Sequence, residues 1–431
     1  MDTIFASANQ NVSAIKIIRV SGSEAKNIPD IFNFSRPKPR KHVVRKLIYK
    51  NRLIDIAVVF WLPGPKTVTG EDIFELHVHG SMIIEDLIYK AMLNQKNFRL
   101  AEKGEFTKRG FLNGIIDLSQ VEAINDIINA ETEKQLELAN LHAEGNLKKK
   151  IEDWRKQLVN LIMKTELIID FSDEDIPKNI EKMFVDKLDL LITELDSTIK
   201  NSNFFQTIRN GFTVSIIGKP NVGKSSLMNH IANKKISIVT KYAGTTRDVL
   251  EHKINLNGYP IYLNDTAGIR KTKSKIEKEG VKKAKEMINK SDIVLNLSAD
   301  GDFEIPIKRK KSKIINIRTK SDINTKKFKN EDLSISIKKK IQIDKLLKRI
   351  FNVIQETEPK ESSFLINKRQ ESCAKSALLA LKRIKKVSLF NSAELVAEEL
   401  RLAAAALSSV TTIIDIDEIF DEIFLNFCIG K

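Results

Sequence analysis

The sequence predicts a multidomain fold: an α+β N-terminal domain, an all-α helical domain, and an α/β P-loop domain inserted into the helical one. β-Rich runs broken by turns dominate residues 1–117, whereas helical periodicity begins near residue 119 and returns after residue 360. Between the two helical blocks, a β-branched run ends at Gly218 and continues into Gly223, Lys224 and Ser225. That spacing is typical of a phosphate-binding P-loop followed by a helix.

Composition limits the class of protein. A chain of 431 residues is long enough for two or three domains, each with its own core. The net charge of +16 favours polyanionic partners such as RNA, although lysines spread along the whole chain also fit a biased composition. Two cysteines indicate a reducing compartment. With neither a signal peptide nor an apolar run of membrane-spanning length, we expect a cytoplasmic protein.

The first domain is predicted to cover residues 1–118. Strand-like runs occupy residues 13–20, 55–62 and 74–78, each bounded by turn-forming residues. Apolar residues at helical spacing then predict a helix from Met82 to Leu93. Alternating strands and helices of this kind indicate an α+β unit.

The helical domain is predicted in two parts, residues 119–210 and 359–431. Ser119 and Glu122 have the spacing of a capping box, in which a hydroxyl and a carboxylate satisfy free N–H groups at a helix start. Because a different kind of domain separates the two helical parts, we expect them to pack together around the insertion at residues 211–358.

The insertion contains further nucleotide-binding signals in order. After Lys224 and Ser225, residues 244–248 read Gly-Thr-Thr-Arg-Asp, and Thr246 can offer a second hydroxyl to Mg²⁺. Residues 265–268 read Asp-Thr-Ala-Gly, so an acidic residue follows a predicted strand of the Asn-Gly hairpin. Residues 319–322 read Thr-Lys-Ser-Asp, whose Asp can accept two hydrogen bonds from guanine. Together these motifs predict an inserted P-loop GTPase domain.

The residue that orients the attacking water is not evident from the motifs alone. Ile269 follows the Asp-Thr-Ala-Gly motif, and an isoleucine side chain cannot orient water. An acidic residue from the following stretch is the natural substitute, and Glu277 and Glu279 are the two available there.

Several motifs along the whole chain resemble those of the tRNA-modification GTPase family MnmE, also called TrmE. The P-loop carries Pro220 and Asn221, and the chain ends in Cys428-Ile-Gly-Lys431, which is a highly specific terminus. Further matching segments are residues 19–22, 69–72, 104–109, 117–123, 244–248 and 265–268.

The resemblance implies a folate-binding N-terminal domain that forms a homodimer, a helical domain and an inserted G domain. It implies that the chain acts with the flavoprotein MnmG. The implied reaction is modification of carbon 5 of the wobble uridine, position 34, of certain tRNAs, with a tetrahydrofolate derivative as one-carbon donor. GTP hydrolysis would drive the cycle, with K⁺ where other GTPases place an arginine finger and with Mg²⁺ on the phosphates.

The resemblance also implies roles for individual residues. Lys224, Glu277 and Cys428 would be catalytic, with Glu277 matching the family's water-orienting glutamate, and Lys431 would belong to the functional tail that carries Cys428. The implied folate contacts are Arg19, Glu71 and Glu75. The implied metal ligands are Ser225 and Thr246 for Mg²⁺ and Asn221, Thr240, Tyr242 and Thr245 for K⁺. The implied GTP contacts are Asn221, Val222, Gly223, Lys224, Ser225, Ser226, Thr240, Thr245, Thr246, Asp265, Thr266, Ala267, Gly268, Thr319, Lys320, Asp322 and Ser336.

Departures from the family pattern leave alternatives open. Thr319 replaces the usual Asn of the guanine motif, and Ile115 replaces a lysine expected near folate. One alternative is therefore a member that hydrolyses GTP with impaired folate use, in which Arg19 and its acidic neighbours form structural ion pairs. Another is a GTP-regulated ribosome-assembly or RNA-binding switch. Cys428 is either a nucleophile or a small buried hydrophobe.

Overall fold

The computed structural model describes most of the chain, in two compact units. The first unit comprises residues 1–125, 143–152 and 407–431, and the second comprises residues 126–142 and 153–406. The boundaries predicted at residues 211 and 358 fall inside the second unit and stay a prediction. The described residues are 2–9, 13–170, 179–232, 251–265, 291–303, 313–324, 326–360, 364–387, 389, 392–412 and 430.

The first unit is built on a six-stranded sheet in the order β3-β4-β5-β2-β1-β6. Neighbouring strands run antiparallel, except that β1 and β6 are parallel. One face packs its alternate apolar side chains against α2 to form a core. The elements are β1 Thr3–Ser7, β2 Ile15–Ser21, α1 Ile28–Ile31, β3 His42–Tyr49, β4 Arg52–Leu62, β5 Ile73–His79, α2 Met82–Leu93, β6 Phe98–Leu100 and α3 Glu105–Leu112.

The predicted strands of this unit are confirmed within a few residues as β2, β4 and β5, and helix α2 has the bounds predicted. The sequence did not predict strands β1, β3 and β6 or helix α3. The three residues of β6 form a strand because they pair with β1, about ninety residues earlier in the chain. Such pairing leaves no local signal in the sequence.

The opposite face of this sheet exposes a row of apolar and aromatic side chains across four strands. Val44 lies opposite Val58, Val58 opposite His77, and His77 opposite Ile17. Val44 and the neighbouring Ile15 and Ile56 are exposed. The part of the outer face around Ile15, Val44 and Ile56 therefore exposes apolar side chains to solvent.

The helices of the remaining chain confirm the predicted helical blocks on both sides of a second sheet. The second block packs on the first: the Gln206 amide donates to the Glu371 carboxylate over 2.9 Å, and Lys382 pairs with Asp196 over 3.0 Å. None of the helices in the described ranges has the length and apolarity needed to cross a bilayer. They are α4 Leu118–Asn129, α5 Glu133–Ala143, α6 Asn146–Asp170, α7 Asn179–Asn210, α8 Lys224–Ala232, α9 Ile343–Thr357, α10 Lys368–Ile384 and α11 Ala393–Thr411.

The predicted capping box at Ser119 and Glu122 is wrong. Asp117 caps α4 instead: its carboxylate accepts from the Gln120 N–H, and the Gln120 side chain accepts from the Asp117 N–H, both over 3.1 Å. The Ser119 hydroxyl donates to the same carboxylate and already lies inside the helix. Because the Ser119 hydroxyl is bonded to Asp117, it does not cap the helix, and the cap forms two residues earlier.

The second sheet has the order β12-β11-β10-β7-β9-β8, all parallel except β8. The predicted hairpin around Asn257-Gly258 is confirmed as β8 and β9. The strands are β7 Phe212–Gly218, β8 Glu251–Leu256, β9 Tyr259–Asp265, β10 Ile293–Ser298, β11 Lys313–Arg318 and β12 Leu333–Ser334.

A network of ion pairs joins helix α3 to the edge strand β6 and to the segments before β1 and β5 in the first unit. The guanidinium of Arg109, only 9% exposed, donates to Asp2 over 2.8 Å, to Glu105 over 3.0 Å and to Glu71 over 3.1 Å. Arg99 donates to Glu105 from the other side over 2.8 Å. Burial opposes ionisation of Glu105, yet the bonds from Arg99 and Arg109 hold its pKa below the ordinary 4.5.

Substituting Arg109 by methionine is expected to lower the free energy of unfolding of the first unit by about 3 kcal/mol, because it removes the cation that the buried carboxylates of Glu71 and Glu105 share. The chain has two tryptophans: Trp61 lies in this unit and Trp154 in the other. In a Trp154→Phe background, urea unfolding followed by Trp61 fluorescence therefore reports the first unit.

The control is the pH dependence of the stability difference between the Arg109 variant and its parent. Because the folded pKa of Glu105 is lowered, its stabilisation is complete above about pH 4.5 and is lost as the pH falls through the folded pKa. The difference between the Arg109 variant and its parent should therefore shrink on acidification. A difference that stays constant to about pH 3 would contradict the electrostatic origin.

Candidate nucleotide-binding site

The predicted nucleotide motifs converge at one edge of the second sheet. Strands β7, β9, β10 and β11 are parallel, so their carboxyl ends, Gly218, Asp265, Ser298 and Arg318, meet at the same edge. Ligands of open α/β sheets bind in the crevice outside these ends. The tertiary fold thus brings the P-loop, the start of the Asp-Thr-Ala-Gly motif and the Thr-Lys-Ser-Asp loop together.

The P-loop needs its glycines for steric reasons. Gly218 has a φ of +142°, and a Cβ there would lie 2.2 Å from the carbonyl oxygen of Leu297. Gly223 has a φ of +102°, and its Cβ would lie 2.9 Å from Ile337 Cδ1. Asn221, between them, is exposed with a φ of +60°. The backbone therefore turns tightly from β7 into α8, which leaves the helix N-terminus available to an anion.

The amino group of Lys224 lies at the mouth of this turn. Its Nζ donates to the carbonyl oxygens of Gly218 and Lys219, each over 2.8 Å. Phosphate oxygens are stronger acceptors than carbonyls, so a bound nucleotide can replace these bonds. Ser225 and Ser226 are exposed on the first turn of α8, whereas Val222 is buried in the core below.

The guanine-specific carboxylate predicted at Asp322 has a hydrogen-bond partner. Ser336 Oγ donates to Asp322 Oδ1 over 2.6 Å, and this bond holds the pKa of Asp322 below the ordinary 3.8. The carboxylate is therefore ionised at neutral pH. Thr319 is buried with its N–H donating to Ser298 O over 2.8 Å, and Lys320 has a φ of +55°. The structure thus brings together the predicted residues Asp322 and Ser336.

Sequence reasoning missed an ion pair beside the P-loop. Lys219 pairs with Asp302 over 2.8 Å and with Asp300 over 3.3 Å, both in the loop after β10. A hydrogen bond from the Ser298 hydroxyl, the Asp302 N–H and Lys219 together lower the pKa of Asp300 to about 2. The two aspartates directly follow a buried strand, which is the signal that could have placed them at this edge.

The candidate folate residues lie together in the first unit. Arg19 on β2 pairs with Glu75 on β5 over 2.8 Å, and His77 contacts the other oxygen of Glu75. Burial favours the neutral form, but His77 and Arg19 lower the pKa of Glu75 below 4.5. Glu71 accepts from the Ser21 hydroxyl over 2.7 Å and from Arg109. All of them already have partners within this unit.

Part of the predicted site lies outside the described residues: Thr240, Tyr242, Thr245, Thr246, Thr266, Ala267, Gly268, Glu277, Glu279, Cys428 and Lys431. The backbone of Asp265 ends β9. Of the C-terminal tail, Gly430 is described with a φ of +100°, and a Cβ there would lie 2.2 Å from the Ser7 carbonyl oxygen. The tail glycine therefore contacts the end of β1.

A parallel sheet with a P-loop after its central strand and an ionised guanine-type carboxylate at the same edge defines a P-loop GTPase domain. Two family models match the chain: the GTP-binding protein TrmE N-terminus over residues 3–115, and the MnmE helical domain over residues 118–428, a range that includes the P-loop.

Curated relatives match from end to end. The chain is 38% identical over 448 residues to the tRNA modification GTPase MnmE of Rickettsia bellii and 35% identical over 453 residues to that of Rickettsia rickettsii. Each comparison covers 100% of both chains. The chain belongs to the MnmE family of tRNA modification GTPases, as the resemblance predicted.

Solved structures give a weaker likeness. The FeoB G domain of Methanococcus jannaschii aligns with 34% of this chain and 98% of its own, at 20% identity and a TM-score of 0.26. The FeoB G domain of T. maritima aligns at 23% identity and a TM-score of 0.25. Scores this low support no inference about function.

Proposed function

We propose that this chain hydrolyses GTP in a K⁺-dependent cycle and, with the flavoprotein MnmG, modifies carbon 5 of the wobble uridine (position 34) of certain tRNAs. The products are aminomethyl or carboxymethylaminomethyl derivatives, and a tetrahydrofolate derivative supplies the carbon. The observation that carries the proposal is the joint placement of Lys224 and the Asp322–Ser336 pair at one sheet edge. Membership of a family of tRNA modification GTPases supports the tRNA substrate, and we propose that the chain acts in the cytoplasm.

The described residues fit the metal ions of this cycle. Ser225 is exposed at the start of α8, and its hydroxyl is suited to Mg²⁺; Asn221 is exposed, and its amide oxygen is suited to K⁺. Thr246 would share Mg²⁺, and Thr240, Tyr242 and Thr245 would complete the K⁺ shell. When bound, both ions offset negative charge on the phosphates. Lys224 Nζ would contact the β- and γ-phosphates, and Glu277 would orient the attacking water.

The first unit supports the folate and dimer parts of the proposal. A carboxylate has about four acceptor sites, so Glu71 and Glu75 keep capacity for N–H groups of a pterin ring despite their internal partners. Both lie next to the outer sheet face that exposes Ile15, Val44 and Ile56. A second copy of the chain that covers this face would bury its apolar row and place the folate residues at the dimer interface.

The experiment is GTP hydrolysis in KCl against NaCl at equal ionic strength. We expect K⁺ to raise kcat by at least about tenfold, because a fixed cation stabilises charge that develops on the transferred phosphoryl group. In Glu277→Ala this stimulation should be lost while nucleotide binding persists.

Glu279→Ala is the matched control, since it removes the same charge two residues away, and its K⁺ response should equal that of the unchanged chain. Equal, slow hydrolysis in both salts would contradict the K⁺-driven mechanism. The RNA-binding switch would then be the better reading of the G domain.

A further inference from the structure

We infer that the buried ion pair of Arg318 and Glu331 positions the Asp322 loop for guanine recognition. Arg318 is a positioning residue in this proposal, because it acts through the loop without touching the base. The inference rests on the proposed binding of GTP and names a determinant of its base specificity outside the nucleotide motifs.

The pair is buried and has close geometry. Arg318, the last residue of β11, is 4% exposed, and the Glu331 side chain is 10% exposed. Arg318 Nε donates to Glu331 Oε2 over 2.6 Å. A second N–H of the guanidinium donates to the carbonyl oxygen of Asn324, two residues after Asp322. The guanidinium thus contacts both the Asp322 loop and the segment that follows it.

These contacts fix the turn that carries Asp322. The N–H groups of Ile323 and Asn324 donate to the Lys320 carbonyl over 3.0 and 3.2 Å, and this closes the turn. Arg318 holds the far end of the turn through Asn324 O. On the other side, Ser336 Oγ bonds the carboxylate itself. Asp322 is therefore oriented by two independent contacts, and the sequence motif contains neither of them.

The segment that carries Phe328 and Glu331 is itself held in place. The Phe328 ring lies 5.9 Å from the Arg318 guanidinium carbon, and it occupies the space beside Gly301, whose Cβ would lie 2.3 Å from the ring. Glu331 thus belongs to a segment packed against the loop after β10. A buried ion pair has a large desolvation cost, and its best-attested benefit is specificity of arrangement. In this protein the ion pair would specify the arrangement of the Asp322 loop.

The test measures the affinities of the full chain for GDP and for inosine diphosphate (IDP), whose base lacks the 2-amino group. One lost hydrogen bond to a carboxylate predicts that the unchanged chain binds GDP about 10- to 100-fold tighter than IDP. In Arg318→Met, we expect this ratio to fall by at least about tenfold; IDP affinity falls less than GDP affinity, because IDP keeps the N1–H donor but has no 2-amino group to lose. A role in folding alone would weaken both nucleotides equally.

Three variants complete the design. Arg318→Met/Glu331→Leu removes both charges, so no carboxylate is left stranded, and it should show the same reduced ratio if the single variant does not fold. Arg318→Lys keeps the charge and should restore the ratio only in part, because one amino group cannot reproduce the guanidinium fork. Arg349→Met breaks an exposed pair with Glu356 in the same domain and should leave the ratio unchanged.

Two results would overturn the inference, and each has a different consequence for the proposed GTP binding. A normal GDP/IDP ratio in the folded double variant shows that the ion pair is structural only, while the proposed GTP binding stands. A ratio near one in the unchanged chain shows that Asp322 does not read the 2-amino group, and the proposed guanine recognition fails with it.

Discussion

Replacing Lys224 with alanine is expected to lower the kcat of GTP hydrolysis by about 10²- to 10³-fold, the effect typical of losing one preorganised donor to developing charge. The amino group lies over the P-loop, where it is bonded to two carbonyl oxygens that phosphate oxygens can replace. Alanine retains the helix but removes the donor. Phosphate release at saturating GTP measures the loss.

Lys219→Ala is the matched control, because it removes the same charge from the same loop. Lys219 is directed to Asp300 and Asp302 on the surface, and such exposed pairs contribute little. We expect kcat to change less than about threefold. Comparable losses in the two variants would show that general positive charge, rather than the placement of Lys224, supports hydrolysis.

Replacing Asp322 with asparagine is expected to weaken GTP binding about 100-fold and to raise affinity for xanthosine triphosphate (XTP). In the proposed site the ionised carboxylate would accept from the two guanine N–H groups, and each such bond is worth about 1.5–3 kcal/mol. An amide presents N–H groups where guanine also donates, whereas xanthine offers a carbonyl oxygen there. Competition of GTP and XTP against a fluorescent GDP analogue gives both affinities.

The control is Asp302→Asn, an equal change of charge at an exposed carboxylate of the same sheet edge. It should leave the preference for GTP over XTP unchanged. If Asp322→Asn also keeps that preference, the base is recognised elsewhere and the guanine role of the Thr-Lys-Ser-Asp loop is wrong.

Much of the fold could be predicted because its signals are local. The helix Met82–Leu93 follows from apolar spacing, and the hairpin at Asn257-Gly258 follows from the turn those two residues favour. The cap of α4 was misplaced because two candidate caps, Asp117 and Ser119, lie two residues apart. The Asp117 carboxylate accepts from both the Gln120 N–H and the Ser119 hydroxyl, and a spacing rule does not show which of the two side chains caps the helix.

The residues of the nucleotide-binding site also divide into those that the sequence could predict and those that it could not. The P-loop glycines and Lys224 could be predicted, since a phosphate cradle is formed by consecutive residues. The bond between Asp322 and Ser336 could not, because Ser336 reaches the carboxylate only after β11 and β12 pair, and the partner of Arg318, Glu331, likewise comes from the later segment. The Lys219 contacts with Asp300 and Asp302 likewise join residues about eighty positions apart.

The sequence by itself determined the class of the inserted domain, its phosphate-binding chemistry and the resemblance to the MnmE family. Those properties reside in short segments whose backbone conformation is set by their own residues. Only the tertiary structure decided which charges are buried together, such as Arg318 with Glu331 and Arg109 with Glu71. Burial and ion pairing depend on the packing of distant segments, and that packing controls both the cost of a buried charge and the arrangement it fixes.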